Sequence, residues 1–127
     1  LFPGWVDRLM IISLARMSVG SIAPYKNIDN FTNNTPNKIV DSLILGKPLL
    51  CPLHGEVAKL IKDHEIGFTY NHHNLLSDYI HSLISNKKLQ NFMSNNAKKL
   101  YETQFEFNMV YDGLVDHLEK MVIKHER

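Results

Sequence analysis

Three polar side chains, Asn37, Lys38 and Asp41, stand near the first turn of a predicted helix in an otherwise apolar segment. The N-terminus of a helix carries a partial positive charge and unpaired backbone amides, so it attracts anions. A lysine and hydrogen-bonding side chains beside it would strengthen that attraction. These residue types at this spacing favour an anion-binding site. The alternative is a capped surface helix with solvated polar residues.

The helix that carries these side chains has its own start and stop signals. Thr35 can cap the exposed amides, and Pro36 suits the first helical position, where a missing N–H costs nothing. Gly46 is predicted to end the helix in a left-handed conformation, and Pro48 prevents its continuation. The apolar face of the helix comprises Ile39, Leu43 and Ile44, with Val40 at its edge.

Apolar runs separated by helical periods predict an α/β fold, a doubly wound, Rossmann-like parallel sheet with helices on both faces. Strands are predicted over residues 19–23, 48–51 and 66–70, with the end of another at residues 1–2. The helix predicted over residues 7–16 is apolar nearly all round, which predicts that it is mostly buried. Further helices are predicted over residues 56–64, 75–84, 89–105 and 108–124.

A polar, Asn-rich segment at residues 25–34 follows the first of these three strands. Neither the helical nor the strand period fits it, so it is predicted to be a loop. Ten residues is long for such a connection, and ligands in open α/β sheets bind outside the carboxyl ends of the strands. The segment is therefore a candidate binding loop, and the alternative is a mobile surface loop.

Length and composition describe one ordinary globular domain. Of the 127 residues, 44% are hydrophobic and 21% charged, and 14 Lys and Arg against 13 Asp and Glu leave a formal net charge of +1. That balance argues against a nucleic-acid partner or an anionic-membrane surface. The single cysteine, Cys51, excludes an internal disulfide and is expected to be an inert buried thiol. With no apolar run near ~18 residues and no secretory signal, the expected compartment is the cytoplasm.

The seven histidines suggest no metal site. His72 and His73 are adjacent, His54, His64 and His81 fall on separate predicted elements, and no pair has the spacing of a zinc motif. No Gly-x-Ser-x-Gly, dinucleotide-binding or phosphate-loop signature occurs either. We therefore expect no metal and no cofactor, and we assign no catalytic residue.

Several short motifs, in order, resemble the donor domain of retaining GT-B glycosyltransferases of family 4, most nearly the bacterial N-acetyl-amino-sugar transferases of surface-polysaccharide assembly. The central ones are Pro-Asn-Lys at residues 36–38, a carboxylate three residues on, and Gly-Lys-Pro at residues 46–48 before a strand. The flanking ones are Phe-Pro-Gly-Trp-Val at 2–6, Ser-Ile-Ala-Pro-Tyr at 21–25, Ile-Gly-Phe at 66–68, and a helix from 93 to 105 ending in an aromatic.

The resemblance covers the whole chain and implies that residues 1–127 are part of a nucleotide-sugar-binding domain, the C-terminal half of a GT-B fold. It implies a UDP-sugar donor, retaining glycosyl transfer in polysaccharide or glycoconjugate synthesis, and no metal. Asp41 would hold the ribose hydroxyls, Asn33 would face the donor sugar, and amides around 34–37 would face the diphosphate with help from Lys38. The implied binding residues are Gly4, Trp5 and Val6 beside the base, with Asn33, Asn34, Thr35, Asn37, Lys38 and Asp41.

The chain departs from the family in several places. Asp41 is one methylene shorter than the usual glutamate, and Asn33 stands where a carboxylate is common. The Arg and Lys that clamp the diphosphate, and the domain that binds a sugar or lipid-linked sugar acceptor, would lie upstream of Leu1. The expectation is a sheet incomplete at its N-terminal side, either self-association through the exposed edge or marginal stability, weak binding and no turnover. The full-length protein would then act in the cytoplasm or at the inner face of the membrane.

Two alternatives from other classes stay open. One is a flavodoxin-like binding module such as a phospho-acceptor receiver, which Lys47-Pro48 before a strand would suit. Receivers need acidic residues at the end of an early strand, and Phe2-Pro3-Gly4 has none. The other is a non-catalytic subunit or degenerate paralogue that has kept the fold.

Overall fold

A computed structural model describes residues 4–125 of the chain, with side chains described as far as Val122. The strand end predicted at residues 1–2 lies outside the described residues. The elements, in order, are α1 (Arg8–Met17), β1 (Ser21–Ile22), α2 (Asp29–Thr32), α3 (Asn37–Ile44), β2 (Leu49–Cys51), α4 (Glu56–His64), β3 (Gly67–Thr69), α5 (His73–Ser85), α6 (Lys87–Leu100), a π-helical turn (Tyr101–Phe105) and α7 (Phe107–His125).

The three strands form one parallel sheet in the order β1-β2-β3. Leu49 of the central strand lies opposite Ser21 on one side and Gly67 on the other. The predicted parallel α/β fold is thereby confirmed. The strands are shorter than predicted, with two residues in β1 and three each in β2 and β3.

Helices cover both faces of this sheet. Successive side chains of β2 point to opposite faces, so each face is buried under a different set of helices. Leu49 and Cys51 are buried in one cluster with α3, α4 and the end of α6, whereas Leu50 is buried in a second cluster with α5 and the middle of α6. No residue of β2 is exposed, as expected for the centre of a parallel sheet. The first cluster includes Ile39, Leu43, Val57, Ile61, Ile66, Ala97 and Leu100, and the second Leu83 and Met93.

A short polar contact fastens α3 to the sheet inside the first cluster. The hydroxyl groups of Ser21 and Ser42 lie 2.8 Å apart, and the Ser42 Oγ is also 2.8 Å from the backbone oxygen of Lys38. Ser42 is almost fully buried, so these bonds satisfy a hydroxyl that would otherwise cost free energy. The contact fixes the position of α3 relative to β1.

The helix predicted over residues 7–16 forms as α1, but the prediction that it is mostly buried is wrong. None of its residues is buried, and Leu9 is 75% exposed. Within the described residues the sheet has three strands and offers little area, and α3 to α6 occupy it. The contacts of α1 include a depression that it shares with α3 and a hydrogen bond from the Lys47 ammonium to the backbone oxygen of Ser18 at its C-terminal end.

The C-terminal part also differs from its prediction. The helix expected over residues 89–105 is α6 followed by a π-helical turn. In α7 every described side chain is exposed, including the apolar ones of Val110, Leu114, Leu118, Met121 and Val122. Among residues 4–125, no helix combines the length and apolar character that crossing a bilayer requires.

Candidate ligand site at the carboxyl end of the sheet

The segments that follow β1 and β2 meet at the carboxyl end of the sheet. Asn27 joins them, because its Nδ2 donates to the backbone oxygen of Pro52 at 2.8 Å and its Oδ1 accepts from the His54 amide at 2.7 Å. Gly55 adopts a left-handed φ of 71°, and a side chain there would overlap the backbone oxygen of Thr32. The Asn-rich loop is thus held against its neighbour rather than free, and it contains one short helix, α2.

The N-terminus of α3 is capped differently from the prediction. Pro36 takes the N-cap position with φ −63° and ψ 149°, and no side chain bonds to the helix end. The prediction that Thr35 caps the helix and Pro36 begins it is wrong, because the extended ψ of Pro36 delays the first turn until Asn37. The uncapped first amides of α3 remain available to an external acceptor.

Asp41 lies one turn into α3 with an exposed side chain, as predicted. It lines a depression of about 540 Å³ between α3 and α1, together with Arg8 and four apolar residues. Ile44 is one of these and is half-exposed, so its predicted place on the buried face with Ile39 and Leu43 is wrong. The apolar residues of the depression are Ile11, Ile12, Ile44 and Leu45.

The other residues predicted around α3 form a continuous polar edge. Asn33 is exposed and ends α2. The side-chain Nδ2 of Asn34 donates to the backbone oxygen of Asn30 at 2.9 Å. Thr35 is half-buried, and Asn37 and Lys38 are exposed on the first turn of α3. These residues adjoin one another and the uncapped helix end.

The segment predicted to lie beside the base is less closely tied to this edge. Trp5 is fully exposed, Gly4 is exposed with a left-handed φ of 77°, and Val6 is half-buried. They lead into α1, where the Asp7 carboxylate accepts from the Met10 amide at 2.8 Å. None of the three lines the depression that contains Asp41.

Sequence reasoning missed two residues of this region, Asn27 and His54. Neither belongs to a motif, and Asn27 stands among several similar asparagines. The only available signal was that His54 follows a buried strand, the position from which ligands in such sheets are bound. The pair matters because Asn27 fixes the loop that presents Asn33 and Asn34.

Titration behaviour at this end of the sheet is set by burial. Burial raises the pKa of the Cys51 thiol above its ordinary value, partly offset by a hydrogen bond from the backbone of Leu53. Burial, followed by the negative charge that Cys51 carries once it is ionised, likewise raises the pKa of Tyr70. Both side chains are therefore neutral near pH 7, which agrees with an inert Cys51.

Within residues 4–125, no group of three or more His, Cys, Asp and Glu side chains has an arrangement that would hold a metal ion. Comparison with protein-family models, curated proteins and solved structures found no match for this chain. The case for a function rests on the residues and their geometry.

Proposed function

We propose that this chain is the nucleotide-sugar-binding part of a retaining glycosyltransferase of GT-B type, with a UDP-sugar as donor, acting in the synthesis of a surface polysaccharide or glycoconjugate. The observation that carries the proposal is the uncapped N-terminus of α3 at the carboxyl end of a parallel sheet, with Lys38 and Asp41 on its first two turns. Nucleotides bind at this end of open α/β sheets.

The diphosphate is the part of the donor that the helix end suits best. The free amides at Asn37 and Lys38 would donate to phosphate oxygens, and the Lys38 ammonium would offset their charge. The same groups would stabilise the negative charge that develops on the leaving diphosphate during transfer. Electrostatics at a helix end contribute about 1 kcal/mol, so we expect weak, roughly millimolar binding by this chain.

The carboxylate of Asp41 would accept hydrogen bonds from both ribose hydroxyls, since it has two oxygens and no donor. The apolar depression beside it would hold the sugar ring of the nucleoside against Ile11 and Ile44. Asn33 and Asn34 would hydrogen-bond the transferred sugar, and Gly4, Trp5 and Val6 would lie towards the base. An acceptor, a sugar or lipid-linked sugar, would come from a further domain.

The test is a titration of the isotope-labelled chain with UDP, followed by amide chemical shifts. We expect the shifts to cluster between Asn33 and Asp41. Asp41→Asn should weaken binding by about 1.5–3 kcal/mol, the usual worth of hydrogen bonds to a charged group. Asp41→Glu, which keeps the charge, should retain the affinity or improve it.

A matched control is Asp78→Asn, which removes an exposed carboxylate on α5 and should leave UDP binding unchanged. Circular dichroism would show that all variants are folded. Equal UDP affinity in the parent chain, Asp41→Asn and Asp41→Glu would contradict the role of Asp41. Shifts confined to residues outside the carboxyl end would contradict the site itself.

A further inference from the structure

Four basic side chains gather in one depression at the opposite, amino end of the sheet. Arg16, Lys47, Lys87 and Lys98 line a cavity of about 290 Å³, and no carboxylate is among its lining residues. Lys47 stands two residues before β2, which places the cavity away from the loops that follow the strands. The remaining polar residues of its wall are Gln90, Asn91, Ser94 and Asn95.

Two of these cations are held in place by hydrogen bonds. The Lys47 ammonium donates to the backbone oxygen of Ser18 at 2.8 Å, at the C-terminal end of α1. The Lys87 ammonium donates to the Oε1 of Gln90 at 2.6 Å, and the Gln90 Nε2 donates to the backbone oxygen of Val19 at 3.2 Å. The Gln90 side chain is buried, so it is a fixed part of the wall.

Lys98 is positioned by a glycine. Gly46 has a left-handed φ of 59° and is buried, and a side chain there would overlap the aliphatic part of Lys98. Lys98 therefore lies across the backbone that precedes Lys47. Three lysines from α6 and the α3–β2 connection converge on one concave surface.

The crowding of like charges affects the pKa of Lys47. Burial lowers the pKa of Lys47 below its ordinary value, and the charges of Lys87 and Lys98 lower it further. Repulsion among these cations is not relieved by a neighbouring carboxylate in the cavity wall. An anion bound between them would remove that repulsion and gain charge-assisted hydrogen bonds.

We propose that this depression is a binding site for phosphate groups, formed by Arg16, Lys47, Lys87 and Lys98 with amide and hydroxyl donors from α6. The cavity has room for about ten water molecules, enough for one or two phosphate groups but too small for a nucleotide with its base and sugar fully enclosed. Ammonium groups suit phosphate as point charges, and the Arg16 guanidinium can bind two oxygens at once. The site is independent of the proposed nucleotide site.

The same chemistry is offered by a soluble phosphate compound and by the headgroup of an anionic lipid. The experiment therefore has two arms, titration with inorganic pyrophosphate and sedimentation with phosphatidylglycerol vesicles. Amide shifts during the first arm would show whether pyrophosphate binds at Gly46, Lys47 and Asn95 or at the carboxyl end. The decisive variant is Lys87→Gln/Lys98→Gln, which removes two charges from the cavity wall.

Its matched control is Lys88→Gln/Lys99→Gln, which removes the same charge from the next position of α6 in each case. Both control residues are exposed and neither lines the cavity. We expect the first variant to weaken binding by about tenfold or more, as loss of charged hydrogen bonds predicts, and the control by less than about threefold. Thermal unfolding would show that both variants remain folded.

If Lys87→Gln/Lys98→Gln weakens the binding of pyrophosphate, the ligand is a soluble phosphate compound. If this variant weakens only the binding to vesicles, the ligand is a lipid headgroup. Equal weakening by the variant and its control would mean that only overall charge matters, and would overturn the site. Shifts around Asn37 rather than Lys47, or no binding in either arm, would overturn it as well.

Discussion

The two ends of the sheet differ in how they would hold a ligand. At the carboxyl end, hydrogen-bonding groups dominate: asparagine side chains, the free amides of α3 and the Asp41 carboxylate, with Lys38 on the helix and Arg8 in the depression beside Asp41. At the amino end, four cations share one small cavity without a carboxylate in its wall. The first arrangement selects a ligand by the position of its hydroxyl groups, whereas the second attracts a ligand by charge.

The difference shows why formal net charge is a poor guide to binding in a small domain. A net charge of +1 suggests no electrostatic preference, yet four of the 14 Lys and Arg residues converge on one cavity. Carboxylates elsewhere on the surface cancel the total without neutralising the local field, because solvent screens charges beyond about 10 Å. A net charge near zero therefore does not exclude a concentrated anion site.

The largest effect is expected where one substitution damages both ends together. A side chain at Gly67 would overlap the backbone oxygen of Leu49, the residue of the central strand that lies opposite it. We expect Gly67→Ala to lower the free energy of unfolding by about 3 kcal/mol, as overpacking in a core does, and to weaken UDP and pyrophosphate binding alike.

Urea denaturation measures this effect, and Gly113→Ala is its control. A side chain at Gly113 would meet nothing within 4 Å, so alanine there should stabilise the exposed helix α7 locally by about 0.5–1 kcal/mol and should not lower the free energy of unfolding of the domain. If Gly67→Ala were as stable as the parent chain, the described register between β2 and β3 would be wrong.

The next largest effect is a difference in how strongly salt weakens ligand binding at the two ends of the sheet. Raising ionic strength from about 0.05 M to about 0.5 M should weaken pyrophosphate binding at the amino end by about tenfold, since four cations contribute there. UDP binding at the carboxyl end, where Lys38 and Arg8 are the neighbouring cations, should weaken by about threefold. Both titrations can follow amide shifts, with Lys47 and Asn37 as reporters. An equal loss at both ends would remove the distinction between them.

A smaller effect is expected from the joint between the two loops of the carboxyl end. Asn27→Ala removes hydrogen bonds to Pro52 and His54, which should cost about 1 kcal/mol of stability and loosen the UDP site without changing pyrophosphate binding. Chemical denaturation and the two titrations test this together. Asn30→Ala, an exposed position on α2, is the control and should change neither.

The smallest effect is a pH dependence at Lys47. Because its pKa is lowered in the fold from 10.5, the unfolded chain binds more protons in the window just below that value. The stability of the parent chain relative to Lys47→Gln should therefore rise as pH increases through that window, by less than about 1 kcal/mol after solvent screening. Below the lowered pKa, Lys47 is protonated in both the folded and the unfolded chain, and the folded chain bears the full cost of its charge.

Unfolding of the two proteins at pH values between about 8 and 10.5 measures the difference, because most other titrations cancel. A difference that stays constant with pH, or falls, would mean that the charges at the amino end do not disfavour a protonated Lys47.

The sequence predicts the interior of this fold better than its surface. The helix over residues 56–64 forms with the predicted bounds, and Leu49, Leu50 and Cys51 are buried on both faces of the sheet, because apolar periodicity reports burial directly. The burial of α1 was predicted wrongly, since an apolar helix pattern does not show whether the sheet is wide enough to cover it.

The candidate sites divide in the same way. Residues 33–41 are contiguous, so the polar edge at the carboxyl end can be read from the sequence, apart from the exchange of Thr35 for Pro36 at the cap. The basic residues of the amino end lie between positions 16 and 98, and the bond from Gln90 to Val19 spans 71 positions. Only the topology of the sheet brings them together, and no local pattern indicates it.

The exposure of α7 has a consequence for how the chain opens in solution. Glu106 has extended backbone and its carboxylate accepts from the Met109 amide at 3.1 Å, so a new helix begins there without a packed partner for its described side chains. Most of the stability of a helix in a protein comes from the packing of its apolar face, and none of the described side chains of α7 is buried. Backbone amides of residues 108–122 should therefore exchange with deuterium through local fraying, while those of β2 exchange only when the whole domain unfolds. Glu106 marks the boundary between two cooperative units of very different lifetime.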